Sequence, residues 1–193
     1  MRLLEKNWKT IQEEFWRVYR SKRFVPNEVQ HFVKGTAWTE FGLSRMGTLN
    51  RKNCELAPVT CKLVGSIPEH LSSWKGYPLQ GEAEFLVLEP GTHLERHCGT
   101  TNRRLTMHLG LVTPEGPVLK LDHGELGKRD ILWKEGEAFL FDDSFEHEVW
   151  HNGTEMRGVL YVSVWHPGLW HELKVPQGLH QPTYVKNIHE AEL

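Results

Sequence analysis

Between residues 104 and 112 the chain reads RLTMHLGLV, and every second residue is large and apolar. Leu105, Met107, Leu109 and Leu111 alternate with Arg104, Thr106, His108 and Gly110. A period of two puts these sets on opposite faces of a strand, one apolar and one carrying polar groups. The texture continues on both sides. EAEFLVLEP begins at residue 82 and closes at Pro90-Gly91, and PVLKLD, EAFLF, HEVW and MRGVLYVSVW follow RLTMHLGLV. Asn152-Gly153, between the last two, predicts a hairpin turn. The same residues with Thr154 form a glycosylation sequon, but the turn explains the dipeptide better. Six or more short strands at this spacing predict a jelly roll or a similar closed β architecture.

Upstream the period changes. Leu4, Trp8, Ile11, Phe15 and Val18 make one apolar stripe of a helix that ends before Pro26. Residues 27–80 are expected to be an irregular connection, with a short helix around Glu69–Trp74. A chain of 193 residues suits one domain. The expected parts are an N-terminal helix with its irregular region over 1–80, a β core over 81–168, and a polar tail over 169–193 that packs outside or frays.

Charge and hydropathy exclude several classes of function. With 23 basic and 25 acidic side chains, the chain lacks the basic excess of a nucleic-acid binder. No apolar run approaches the roughly 20 residues that cross a bilayer, so no membrane contact is expected from these residues. MRLLEKNWKTIQEEFW reads as an amphipathic helix, without the continuous apolar stretch of a signal peptide. Any targeting or anchor segment is expected outside these residues.

Twelve histidines invite a search for metal ligands. Polar, ligand-capable groups concentrate in residues 90–108, in FDDSFEHEVW, and at Arg157. Jelly-roll oxygenases hold iron with two His on different strands, plus a carboxylate two residues after the first. His97 and His147 are separated suitably for two strands at one barrel mouth, but Gly99 stands where that carboxylate belongs. The residues alone leave open an iron pair or two ordinary hydrogen-bonded histidines. His93 and His97 have zinc-like helical spacing, yet the β texture argues against a helix there. Cys54 and Cys61 enclose ELAPVT, and the spacing fits either a short-loop disulfide or two reduced thiols, with Cys98 the odd thiol.

HCGTTNRRLTMHLGLV, FDDSFEHEVW and VSVWHP together resemble the aspartyl/asparaginyl β-hydroxylase family. The resemblance extends through LEKNWKTI, GTAWTEF and the Cys54–Cys61 segment with APVTC, over about residues 3–170. It implies a mainly β, double-stranded β-helix fold of the jelly-roll, cupin-like kind, with an N-terminal helical segment. It also implies iron(II), with 2-oxoglutarate and O₂ as cosubstrates. By that resemblance His97 and His147 are the iron ligands, and Gly99 matches the family's departure from the usual carboxylate. Asp143 matches an Asp expected to hold a water in the vacant position, so it joins the two His as a catalytic candidate. Arg157 matches the residue on the distal carboxylate of 2-oxoglutarate, and His108 one on its other carboxylate.

Trp38 matches a tryptophan near the substrate cleft. Two positions depart from the family: Thr106 stands in place of a cosubstrate-binding Arg, and Leu86 in place of a Ser on the distal carboxylate. Arg104 has the parity of Thr106 and, roughly 6–7 Å along the strand, is expected to compensate in part.

The resemblance further implies a Cys54–Cys61 disulfide and the endoplasmic-reticulum lumen, whereas reduced thiols would place the chain in the cytoplasm. The implied activity is β-hydroxylation of Asp or Asn in a protein substrate, an epidermal-growth-factor-like domain. The rival readings are a same-fold oxygenase acting on a lipid or small molecule, and a weak or inactive metal-binding relative, to which Thr106 and Leu86 point.

Overall fold

The computed structural model describes residues 1–78 and 82–180. The N-terminal stripe forms two helices instead of one, α1 (Arg2–Lys6) and α2 (Trp8–Arg20), meeting at Asn7. The Asn7 side-chain amide donates to the Leu3 carbonyl at 2.8 Å, which draws the chain out of helical register there. Leu4, Ile11, Phe15 and Val18 are nonetheless all buried.

Next come β1 (Val25–Pro26), β2 (Val33–Lys34), β3 (Trp38–Arg45) and β4 (Thr48–Leu49). Three short helices follow, α3 (Arg51–Cys54), α4 (Pro58–Val64) and α5 (Pro68–Leu71), then β5 (Ser73–Trp74) and β6 (Tyr77–Pro78). The strands expected from sequence are β7 (Glu82–Leu88), β8 (His93–His97), β9 (Arg104–Val112) and β10 (Pro117–Asp122). They continue as β11 (Lys128–Ile131), β12 (Ala138–Phe141), β13 (Glu146–His151) and β14 (Arg157–Trp165), with β15 (Leu173–Lys174) beyond.

A seven-stranded major sheet runs β1-β3-β7-β14-β9-β12, with β4 on β3, and a five-stranded minor sheet runs β11-β10-β13-β8-β2. Their strand pairings are antiparallel. The two sheets form the jelly roll, and the major sheet has an apolar cluster on each face. Phe41, Phe85, Leu109 and Leu160 pack against Ile11 and Phe15 of α2. Leu86, Leu88, Phe141 and Val159 pack across the inter-sheet space against Leu94, Leu119 and Val149 of the minor sheet. The alternation in β9 places Leu105, Met107, Leu109 and Leu111 on the helix side and Thr106 and His108 on the inter-sheet side. Gly158 permits close contact with α2, because a Cβ there would lie 2.5 Å from Phe15 Cζ.

Three expectations are corrected. Residues 27–80 are more than a connection, since β3 lies inside the major sheet between β1 and β7. The helix expected over Glu69–Trp74 is the four-residue α5, because Ser73 and Trp74 pair with β6 and β15. Asn152-Gly153 makes no hairpin: β13 belongs to the minor sheet and β14 to the major sheet, so the dipeptide lies in a crossover. It packs against the β9–β10 turn, where a Cβ on Gly153 would lie 2.2 Å from the Glu115 carbonyl oxygen. The tail begins with a 3₁₀ segment (Pro167–Glu172) and β15, which pairs with β5; residues 181–193 lie outside the described residues.

Cys54 and Cys61 form a disulfide linking α3 to α4, and Cys61 is buried. Closing so short a loop restricts the unfolded chain by about 2–3 kcal/mol. Cys54→Ser with Cys61→Ser is expected to lower unfolding free energy by that amount in a denaturant titration. A loss below about 0.5 kcal/mol would contradict this role for the cross-link.

Candidate active site

His97 and His147 are direct cross-strand partners on β8 and β13. The register shifts beside them, from His147–His97 to Val149–Leu94, so three steps along β8 match two along β13. The extra residue is a β-bulge, and it turns Leu94 and His97 onto the same face although they are an odd number apart. Both histidines therefore reach the inter-sheet cavity, with ring centroids 4.2 Å apart. His93 is turned elsewhere, stacked on Trp150 at 3.5 Å and bonded to Glu148 at 3.0 Å.

Backbone carbonyls decide the tautomers of the pair. His97 Nδ1 lies 2.7 Å from the Glu95 carbonyl oxygen, and His147 Nδ1 lies 2.9 Å from that of Phe145. Each Nδ1 must donate, which leaves Nε2 as a lone pair, the form that binds a metal. Burial, and secondarily the neighbouring His147, lower His97 to about 4; burial also lowers His147. Both rings are thus neutral at physiological pH. Phe32 stacks on His97 at 4.0 Å and fixes its plane.

The space beside Gly99 is filled by Asp143. A Cβ on Gly99 would lie 2.5 Å from Asp143 Cγ and 2.6 Å from both carboxylate oxygens. Position 99 therefore has no room for a side chain, and a carboxylate from the β12–β13 loop occupies that volume. Arg104 donates to Asp143 Oδ2 at 2.9 Å, while Oδ1 is buried without a hydrogen-bond partner. Among the described residues no cluster of three His, Cys, Asp or Glu side chains is positioned to hold a metal. The donor set fits iron(II) held by two imidazoles, with Asp143 supplying an unused acceptor nearby.

Arg157 opens β14 and is 1% exposed. Its guanidinium lies over the Trp133 ring at 4.5 Å, and its Nε has no hydrogen-bond partner. No carboxylate among the described residues pairs with it, and burial lowers its pKa to about 9, still charged at neutral pH. An unpaired buried cation is costly unless an anion joins it. Trp133 also donates from Nε1 to His108 Nδ1 at 3.1 Å. An indole can only donate, so His108 Nδ1 is the acceptor and Nε2 carries the proton. Burial, then Arg157 and His147, hold the His108 ring neutral. The cavity thus offers a guanidinium and an imidazole N–H, the donors that two carboxylates of one small dianion require.

His97, His147, Asp143, Arg157, His108, Arg104 and Trp38 all line one cavity of about 560 Å³, within the usual range for a small-molecule site. Arg104, expected on the cosubstrate, makes its ion pair with Asp143. The two departing positions also face this space: Leu86 is apolar wall, and the Thr106 hydroxyl is buried without a partner. Trp38 Nε1 is likewise unpartnered. Sequence reading missed Trp133 behind Arg157 and His108, and, in the cavity lining, Phe32, Tyr161 and a group of carboxyls at the far end, Glu28, Glu40, Glu82 and Glu84. Glu82 and Glu84 share the parity of Leu86 and Leu88, a readable signal, whereas Trp133 and Phe32 sit outside strands and carry none.

The jelly roll carries its two cross-strand imidazoles and buried arginine in one cavity between the sheets. An oxidoreductase of the 2OG-Fe(II) oxygenase family from Burkholderia pseudomallei shares the fold, with TM-score 0.56 and 12% identity over 80% of each chain. Residues 5–167 match the family model for aspartyl/asparaginyl β-hydroxylase, and the chain belongs to that family. The human aspartyl/asparaginyl β-hydroxylase is 38% identical over 169 residues, covering 86% of this chain and 21% of the human protein. The ornithine lipid ester-linked acyl 2-hydroxylase of Rhizobium tropici is 32% identical over 165 residues, 82% of this chain and 54% of that protein. This chain thus spans about a fifth of the human relative's length.

The far carboxyls are electrostatically crowded. Burial raises Glu40 to about 7, opposed by a backbone N–H of Glu28 and by Arg45 and assisted by the Glu82 and Glu28 carboxylates. Unfolded, the group titrates near 4.5, so the folded state binds the extra proton and loses stability as pH rises from 4.5 through 7. Glu40→Gln removes that loss. Its thermal midpoint relative to wild type is expected to grow between about pH 5 and 7 and then level off. A difference that is flat or shrinks over that window would contradict the crowding.

Proposed function

We propose that this chain is an iron(II)- and 2-oxoglutarate-dependent dioxygenase that hydroxylates a C–H bond of a substrate entering the cavity. The observation that carries this reading is Arg157, a buried cation with no carboxylate partner among the described residues, in the same cavity as a metal-competent pair of imidazoles. His97 and His147 would hold iron through Nε2. Iron(II) bound there supplies the redox chemistry that converts 2-oxoglutarate, O₂ and substrate into succinate, CO₂ and hydroxylated product.

The chain's own residues position and exclude. Arg157 binds the distal carboxylate in an apolar pocket where its charge is poorly screened, and His108 donates its Nε2 proton to the other carboxylate. Trp133 holds both groups in place. Asp143 presents Oδ1 as a hydrogen-bond acceptor where a ligand carboxylate would otherwise stand, and Arg104 holds its orientation through Oδ2. Leu86, Phe141 and Val149 keep the wall around the cosubstrate dry.

Family membership favours a protein substrate, hydroxylated at the β-carbon of Asp or Asn in an epidermal-growth-factor-like domain, with Trp38 on the substrate side of the cavity. The disulfide supports an oxidising compartment such as the endoplasmic-reticulum lumen. Among the described residues no helix is long and apolar enough to cross a membrane. A lipid or small-molecule substrate is the second reading, favoured by the carboxyl-lined far end of the cavity.

Succinate release from 2-oxoglutarate, with iron and ascorbate, tests the reaction. Wild type is expected to turn over, and His97→Ala and His147→Ala to lose activity. Arg157→Gln is expected to raise KM for 2-oxoglutarate by at least about thirty-fold, the effect of removing one partner from a buried charge pair. Stimulation by an epidermal-growth-factor-like peptide supports the first substrate reading, and turnover indifferent to it supports the second. Full activity in His97→Ala would refute the iron assignment.

A further inference from the structure

The far end of the cavity takes no part in holding iron or cosubstrate. β7 turns Glu84, Leu86 and Leu88 toward the inter-sheet space while Ala83, Phe85 and Val87 face α2. Leu88 lies opposite Arg157 and Glu84 lies opposite Tyr161, so β7 runs from the cosubstrate end to a different chamber. Tyr161 in turn pairs with His108. Two strand spacings therefore separate Glu84 from His108, about 10 Å of backbone and room for a substrate group between them.

Four carboxyl groups, Glu28, Glu40, Glu82 and Glu84, line this chamber together with Arg45. Arg45 is committed elsewhere than Glu84, bonding Glu28 at 2.6 and 2.7 Å and Glu82 at 3.1 Å. Glu40 accepts from the Asn27 amide. Of the other two arginines lining the cavity, Arg104 is paired with Asp143 and Arg157 lies at the cosubstrate end. Glu84 differs from its neighbours: it is 6% exposed and shares a side-chain hydrogen bond with Glu82, yet its Oε2 has no hydrogen-bond partner. A second buried polar group in the same cavity points the same way. Thr106 on β9 is 1% exposed, and its hydroxyl oxygen, a ready acceptor, is also unpartnered.

A buried carboxyl oxygen left without a donor is costly, and a donor carrying positive charge satisfies it best. We propose that the substrate bears an ammonium or guanidinium group that docks on Glu84, flanked by Glu82 and Glu40, with the carbon to be hydroxylated lying toward His97 and His147. The inference rests on the dioxygenase reading and names its substrate class. The same wall repels a carboxylate, so the inference deepens the second substrate reading, a lipid or small molecule, and sets it against an aspartate side chain docking at this end. Burial, then the neighbouring Glu40 and Glu82 carboxyls, push Glu84 well above the usual carboxylate range, and a docked cation acts in the opposite direction.

Calorimetry on the full chain, loaded with manganese(II) and the unreactive cosubstrate analogue N-oxalylglycine, tests the proposal. Three probes share one backbone and differ in charge: Nα-acetyl-lysine N-methylamide, its Nε-acetylated form, and Nα-acetyl-aspartate N-methylamide. The lysine probe is expected to bind at least tenfold tighter than the neutral one, and the aspartate probe weakest. Glu84→Gln is expected to bring the lysine and neutral probes within about threefold of each other, and Glu40→Gln to reduce the preference partly. N-oxalylglycine affinity unchanged in both variants shows that they remain folded around the cosubstrate site. Tightest binding by the aspartate probe, no preference among the probes, or a lysine preference that survives Glu84→Gln would overturn the proposal. Failure of the wild-type protein to bind N-oxalylglycine would instead overturn the dioxygenase reading, so the two failures are distinguishable.

Discussion

One extra residue in β8 sets the direction of everything around the metal-competent pair. Without the bulge, Leu94 and His97 would point to opposite sides of the minor sheet, and the ring would face solvent instead of His147. With it, Leu94 stays in the inter-sheet cluster while His97 enters the cavity, where Phe32 stacks on it and the Glu95 carbonyl selects its tautomer. The missing carboxylate at position 99 follows from the same crowding, since the Asp143 side chain already fills that space. The local geometry thus favours a two-histidine centre with its acidic group one layer away.

The second constraint is charge in a dry place. Arg157 is anchored by Trp133, and the same indole fixes which nitrogen of His108 carries the proton. Among the described residues neither group has a protein anion to answer it, so this end of the cavity is complementary to a small dianion. The opposite end has the reverse sign, with four carboxyls lining it beside one committed guanidinium. On the reading proposed above, opposite charge at the two ends of the cavity would separate a cosubstrate end from a substrate end electrostatically.

Much of the β core was legible because the major sheet has two different faces. Arg104, Thr106 and His108 alternate with Leu105, Met107, Leu109 and Leu111, and the structure sorts them onto the cavity and helix sides as the period requires. The family-level motifs identified residues that the structure gathers in one cavity. What escaped reading has physical reasons. β3 carries the same alternation, with Phe41 and Leu43 against Glu40 and Gly42, but Gly35, Gly42 and Gly47 punctuate it like a loop. Turn chemistry at Asn152-Gly153 says that the chain bends and cannot say which sheet receives it. A bulge leaves no mark in a five-residue strand, and Trp133 acts from a loop where periodicity has no meaning.

A crystal structure of the protein prepared without oxygen, with iron(II) and 2-oxoglutarate, would address the site most directly. The expected density has iron on Nε2 of His97 and His147, no protein carboxylate bound to it, and the distal carboxylate of 2-oxoglutarate on Arg157. Iron held by other side chains, or a cosubstrate lying away from Arg157, would contradict the assignment of this cavity as a two-histidine oxygenase centre.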